Sequence, residues 1–208
     1  FAARSIASLG NLEAYAEFGI SKSYRNAGAD SEGSAIYVNA DYMLGPIQLG
    51  GAYKRYEDFS YRLQDLPLAN HHGETISDAL ASGIDEEGWQ ARALWILDSG
   101  LTFSADYAEA WDSSKDKQMN DLYLEADYQG EAQYTVSYSQ IEKLDDELKH
   151  WQKEYYPTLS AGIQAFGAPL KLIAEFKTIE KQAFQEEDSH YEPRLQADFS
   201  VQKLAVSL

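Results

Sequence analysis

The chain has 208 residues, no cysteine, and 34 acidic against 17 basic side chains, for a formal net charge of −17. Phosphate binding needs clustered Lys and Arg, so this balance excludes nucleic acid as a partner. No apolar run approaches the ~20 residues of a membrane helix, but a barrel strand needs only about 9–11, with every second one facing lipid.

Taken in order, the residues after Phe1 read as the end of a strand, closed by the tight connection Leu9-Gly10-Asn11. Side chains alternate across a strand, so parity sorts each segment into two faces. Leu12, Ala14, Ala16, Phe18 and Ile20 oppose Glu13, Tyr15 and Glu17. Beyond a polar connection at 27–33, Ile36, Val38, Ala40, Tyr42 and Leu44 oppose Tyr37, Asn39 and Asp41. The turn Leu44-Gly45-Pro46 leads to Ile47, Leu49, Gly51 and Tyr53, opposite Gln48 and Lys54. A long connection, 63–88, precedes Trp89, Ala91, Ala93, Trp95 and Leu97, opposite Gln90 and Arg92. Past Asp98-Ser99-Gly100, Leu101, Phe103, Ala105 and Tyr107 oppose Thr102, Ser104 and Asp106.

After a polar connection at 112–117, Leu122, Leu124, Ala126 and Tyr128 oppose Tyr123, Glu125 and Asp127. Past Gln129-Gly130-Glu131, Ala132, Tyr134, Val136 and Tyr138 oppose Gln133, Thr135 and Ser137. The alternation carries on through Gln140–Leu144 and Leu148–Glu154. This stretch reads as an extended hairpin around Asp145-Asp146-Glu147, although Ile141, Leu144, Leu148 and Trp151 also have helical spacing. Three further segments follow, with Leu159–Ala165, Leu170–Phe176 and Leu195–Val201 as their apolar lists. Their polar lists include Thr158, Ser160 and Gln164, then Lys171, Glu175 and Lys177, then Gln196, Asp198 and Ser200. Leu94, Ile96 and Ile173 break the rule and suggest drier patches on the polar face. Leu204–Leu208 reads as a further strand beginning, so the chain is expected to be a segment of a larger barrel.

The pattern is all-β: about ten complete strands of an antiparallel up-and-down transmembrane β-barrel, with tight turns at one end and long loops at the other. A soluble β-sandwich binding module is the alternative, since both folds have one apolar face. Three features favour the barrel. The alternation is longer than the 5–6 residues common in strands. Every connection is a hairpin, with no Greek-key crossover. Aromatics gather toward the strand ends: Tyr24, Tyr56, Phe59, Tyr61, Trp111, Trp151, Tyr155 and Tyr156 near the long loops, Tyr42 and Tyr128 near the turns. Acid clusters in the long loops make one end acidic; they solvate the loops or bridge to anionic lipid heads through divalent cations.

The expected lumen wall is Glu13, Tyr15, Glu17, Tyr37, Asn39, Asp41, Lys54, Arg92, Asp106, Tyr123, Glu125, Asp127, Lys171, Glu175 and Asp198, with Asp98 as a further acid. Acid outnumbers base there, which favours cations. The connection 63–88 exceeds ordinary loop lengths. Pro67, His71, His72, Glu74, Ile76 and Leu80 are its expected constriction residues, with Thr75 capping a short amphipathic turn that folds into the barrel mouth. His71 and His72 with Glu74 and Asp78 lack metal-ligand spacing, and Ser77 beside them matches no nucleophile motif, so neither a metal, a cofactor nor an enzyme is expected.

The run Tyr53-Lys54-Arg55-Tyr56-Glu57-Asp58-Phe59-Ser60-Tyr61-Arg62, followed by Leu66-Pro67-Leu68-Ala69-Asn70-His71-His72, resembles the DUF6029-like outer-membrane β-barrel (porin-like) proteins of Bacteroidetes. The likeness covers Tyr53–His72, and Leu66-Pro67 stands where the family has a double proline. It implies a bacterial outer-membrane location and a long barrel, and it transfers no substrate and no catalytic residue. The function expected is a porin-like channel for small or ionic solutes. The alternative is a structural barrel plugged by its own loop or by a periplasmic or cell-surface protein partner. Outer-membrane lipid is the expected surrounding.

Overall fold

The computed structural model describes residues 1–23, 31–59, 86–112, 114–130, 132–145, 150–165, 168–183 and 186–199. These residues form eleven antiparallel strands in one sheet, ordered β1 to β11 as in the sequence. The strands are β1 (Ala2–Leu9), β2 (Leu12–Ser23), β3 (Ser31–Leu44), β4 (Ile47–Glu57), β5 (Glu86–Ile96), β6 (Leu101–Trp111), β7 (Lys117–Gln129), β8 (Gln133–Asp145), β9 (His150–Ala165), β10 (Ala168–Ala183) and β11 (Glu186–Phe199). The up-and-down expectation holds, and the sheet is open: β1 and β11 are its edges. The strand count rises by one because Ala2–Leu9 pairs with β2 along its whole length.

Chain-local chemistry explains the turns. Gly10 and Gly45 open two-residue connections at φ 58°, a backbone region that side chains bearing a Cβ rarely occupy. Each hairpin fixes its register, and register then places every side chain. The extended hairpin is confirmed: Gln140–Asp145 pairs with His150–Tyr155 as β8 and β9. Glu86, Glu87 and Gly88, expected from the sequence to end the long connection, instead start β5 opposite Lys54–Tyr56. Asp98 is likewise corrected: it lies exposed after the end of β5, at the turn into β6.

The two faces differ in the opposite sense from a soluble protein. The apolar face is open: Val136 is 55% exposed and Leu159 54%, with Phe103, Leu124, Leu172 and Phe176 similarly accessible. The polar face holds the buried residues, among them Glu17, Tyr37, Lys54, Asp121, Ser139, Glu154 and Tyr156. A β-sandwich would bury its apolar face against a second sheet; the described residues form one sheet, and none of them covers that face.

Following paired residues across the strands shows where polarity changes on the apolar face. One row runs Leu44, Ile47, Trp95, Phe103, Ala126, Val136, Leu159 and Ala174. Two rows nearer the long loops it reads Ala14, Ala40, Gly51, Ala91, Tyr107, Leu122, Gln140 and Tyr155. One row further it becomes Glu109, Asn120, Glu142, Lys153 and Glu180, a charged collar above an apolar band. Aromatic pairs line both margins: Trp89 and Tyr107 at 5.3 Å beside the collar, Trp95 and Phe103 at 5.9 Å and Tyr128 and Tyr134 at 6.5 Å toward the tight turns. Tyr56, Phe59 and Tyr156 are not part of such a belt; they are buried, the two tyrosines on the polar face with the interior. Tyr24 and Tyr61 lie outside the described residues.

Candidate functional site

The polar face is the candidate site. Its register rows bring together residues that are far apart in sequence. One row is Arg4, Glu17, Tyr37, Lys54, Gly88, Ala110, Met119 and Lys143. Two residues along each strand the next row holds Tyr15, Asn39, Gln90, Asp121 and Glu154, and four residues along runs Ser8, Glu13, Asp41, Gly50, Arg92, Asp106, Tyr123, Ser139 and Tyr156. Glu125 and Glu175 follow nearer the tight turns, then Asp127, then Lys171 and Asp198. All fifteen residues expected on the wall therefore share one face.

Charges on this face are organised by level. Toward the long loops they are paired around buried acids. Lys54 Nζ is 3.0 Å from Glu86 Oε1, their side chains only 5% and 2% exposed. The same ammonium lies 5.2 Å over the Tyr56 ring. Glu154 is the second centre: Lys177 Nζ lies 3.0 Å and Lys143 Nζ 3.9 Å from its oxygens, and the Tyr156 hydroxyl donates to it. Arg4 pairs with Glu17 at 3.3 Å, and Tyr15 donates to the same carboxylate at 2.5 Å. Removing a charge from water is costly unless a partner replaces the lost hydration, which explains why base and acid meet here.

Toward the tight turns the acids accept from neutral donors. Tyr123 donates to Glu125 at 2.5 Å, Thr135 to Asp127 at 2.7 Å, Gln129 to Asp127 at 2.9 Å, and Thr158 to Glu175 at 3.4 Å. Gln90 donates to both oxygens of Asp106, at 2.9 and 2.7 Å. Neutral donors orient a carboxylate and leave its charge in place, so this level carries negative potential that a passing cation meets.

A dry patch lies within the paired level, on the side of the sheet formed by β6 to β9. Ala108, Ala110, Met119, Ile141 and Tyr156 form a buried cluster. The exceptions expected to mark such a patch were Leu94, Ile96 and Ile173. Ile96 is instead exposed, while Met119, Ile141 and Ile179 are among the buried apolar residues of this face. Inside the patch, Asp121 Oδ1 and Ser139 Oγ are buried with no hydrogen-bond partner among the described residues.

Sequence reasoning missed Glu86, Asp121, Ser139, Lys143, Glu154 and Tyr156. Their parity was legible, but each lies beyond the stretch where apolar alternation is clean. The expected constriction residues Pro67, His71, His72, Glu74, Ile76 and Leu80 lie outside the described residues, as do Ser77 and Asp78. Among the described residues no three His, Asp or Glu side chains group to hold a metal ion. At the collar, outside the apolar band, the Glu142 carboxylate beside Lys153 raises the ammonium's pKa, and Lys22 beside Glu32 lowers that carboxyl's.

No protein-family model matches the chain, and no curated protein matches it. Of the run Tyr53–His72, from which a family resemblance was expected, Tyr53–Phe59 lies within the described residues.

Proposed function

We propose that the chain is part of an outer-membrane β-barrel that passes small or ionic solutes and favours cations. The observation that carries this reading is the inverted burial: an exposed apolar band on one face, buried Glu17, Lys54 and Glu154 on the other. Lipid is the solvent that suits the first, and a curled interior suits the second. The charged collar and the aromatic pairs at both margins agree with a band that ends at two water boundaries. Edges β1 and β11 run in the same direction, so antiparallel closure between them takes an odd number of intervening strands.

The cation preference rests on the tight-turn level, where Glu125, Asp127 and Glu175 are held by neutral donors. A second reading is favoured by the paired level. Buried Lys54–Glu86 and Glu154–Lys177 pairs knit neighbouring strands together, as a structural barrel filled by its own loop or a partner would require. Proteoliposomes loaded with potassium and separately with chloride indicators separate the two. Potassium release ahead of chloride supports the channel, and a sealed vesicle with inserted protein supports the structural barrel.

A further inference from the structure

On the apolar side of the sheet, above the band, four strands present a polar platform bounded by two tryptophans. One row is Trp111, Gln118, Leu144 and Trp151, from β6 to β9. The adjacent row is Glu109, Asn120, Glu142 and Lys153. Side-chain bonds link them into a chain. Gln118 Nε2 donates to Glu109 at 2.7 Å and to Asn120 Oδ1 at 3.1 Å, Asn120 Nδ2 donates to Glu142 at 3.5 Å, and Lys153 pairs with Glu142.

A cavity of about 220 Å³ opens between Gln118, Asn120, Glu142, Leu144, Trp151 and Lys153. The two indoles stand three strand spacings apart, roughly 14 Å. Each lies beneath a lysine, Lys115 over Trp111 and Lys153 over Trp151, both at 5.5 Å. The Trp111 indole N–H is buried with no acceptor among the described residues.

We infer that this platform binds a neutral oligosaccharide. Pyranose rings offer C–H faces that pack on the electron-rich face of an indole, and hydroxyls that both donate and accept. Amide and carboxylate groups in one plane supply the matching partners. Convergent polar groups beside an aromatic wall are what a small polar ligand requires. Two aromatic stops across four strands suit several linked rings better than one. The sugar comes either from a glycolipid head group at the band's margin, which rests on the membrane reading, or from a soluble glycan, which does not.

The test titrates the full chain with two probes, maltotriose in solution and digalactosyl diacylglycerol in phosphatidylcholine vesicles, and reads tryptophan fluorescence and saturation-transfer NMR. Saturable binding of either probe is expected. Trp151→Ala and Asn120→Ala should each weaken it about tenfold or more, while Trp95→Ala, near the tight turns, should not. Binding of maltotriose identifies a soluble glycan, and binding of the glycolipid alone identifies a head group. No saturable response of the native chain to either probe overturns the inference, as does undiminished binding by both platform variants with native circular dichroism. The maltotriose arm needs no bilayer, so failure to insert into vesicles counts against the membrane reading and leaves this inference standing.

Discussion

Arg92 reaches Asp41 across an intervening strand. Its guanidinium donates to both carboxylate oxygens, at 2.8 and 2.7 Å, with Nε 3.3 Å away, although β4 lies between β5 and β3. Gly50 makes this possible: a Cβ there would fall 2.3 Å from Arg92 Nε and 2.6 Å from Asp41 Oδ1. The absence of a side chain opens a channel for another one. Gly50→Val should therefore break the pair and lower stability by about 1–2 kcal/mol, since the pair is partly exposed and its loss is tempered by water. The urea midpoint, read by tryptophan fluorescence, measures this.

The Lys54–Glu86 pair is more deeply buried and should behave differently. Lys54→Met strands the Glu86 carboxylate away from water and should cost about 3–5 kcal/mol, whereas Lys54→Met/Glu86→Leu should recover most of the loss. A double-mutant cycle on urea midpoints reads the coupling directly. Equal losses in the single and double variants would count against a mutual pairing.

What surrounds the apolar band can be read from one residue. Val136 lies in the apolar band, more than half exposed. Val136→Lys should destabilise by about 2–4 kcal/mol in a bilayer if lipid covers it. Ser137→Lys, one residue along and on the polar face, should cost far less. Near-zero cost for both would mean that water covers the band.

These contrasts also mark how far the sequence was legible. Strand order, tight turns and face assignment followed from period-two alternation, because a one-residue slip moves every side chain to the wrong face. The start of β5 was misread because Glu86 and Glu87 join a run of acids that resembles a loop. Only the paired register shows Glu86 opposite Tyr56 and in reach of Lys54. The Arg92–Asp41 contact needs three strands and a missing side chain, which no local pattern encodes. Tyr56 and Tyr156 were misplaced because aromatic residues near strand ends suit either a boundary belt or a buried face; their parity, shared with Lys54 and Glu154, was the available signal.

Selectivity should depend on the acids held by neutral donors. Glu125→Gln/Asp127→Asn removes two charges from β7 and keeps the hydrogen-bonding shape. Cation over anion preference should fall toward parity, read as a reversal potential moving toward zero under a salt gradient, while unitary conductance changes little.

The most direct test of the channel reading is the reversal potential of the wild-type protein in a planar bilayer separating unequal potassium chloride solutions. The account predicts discrete conductance steps with a reversal potential of the sign set by potassium. A potential of the sign set by chloride, or verified insertion with no conductance, would contradict it.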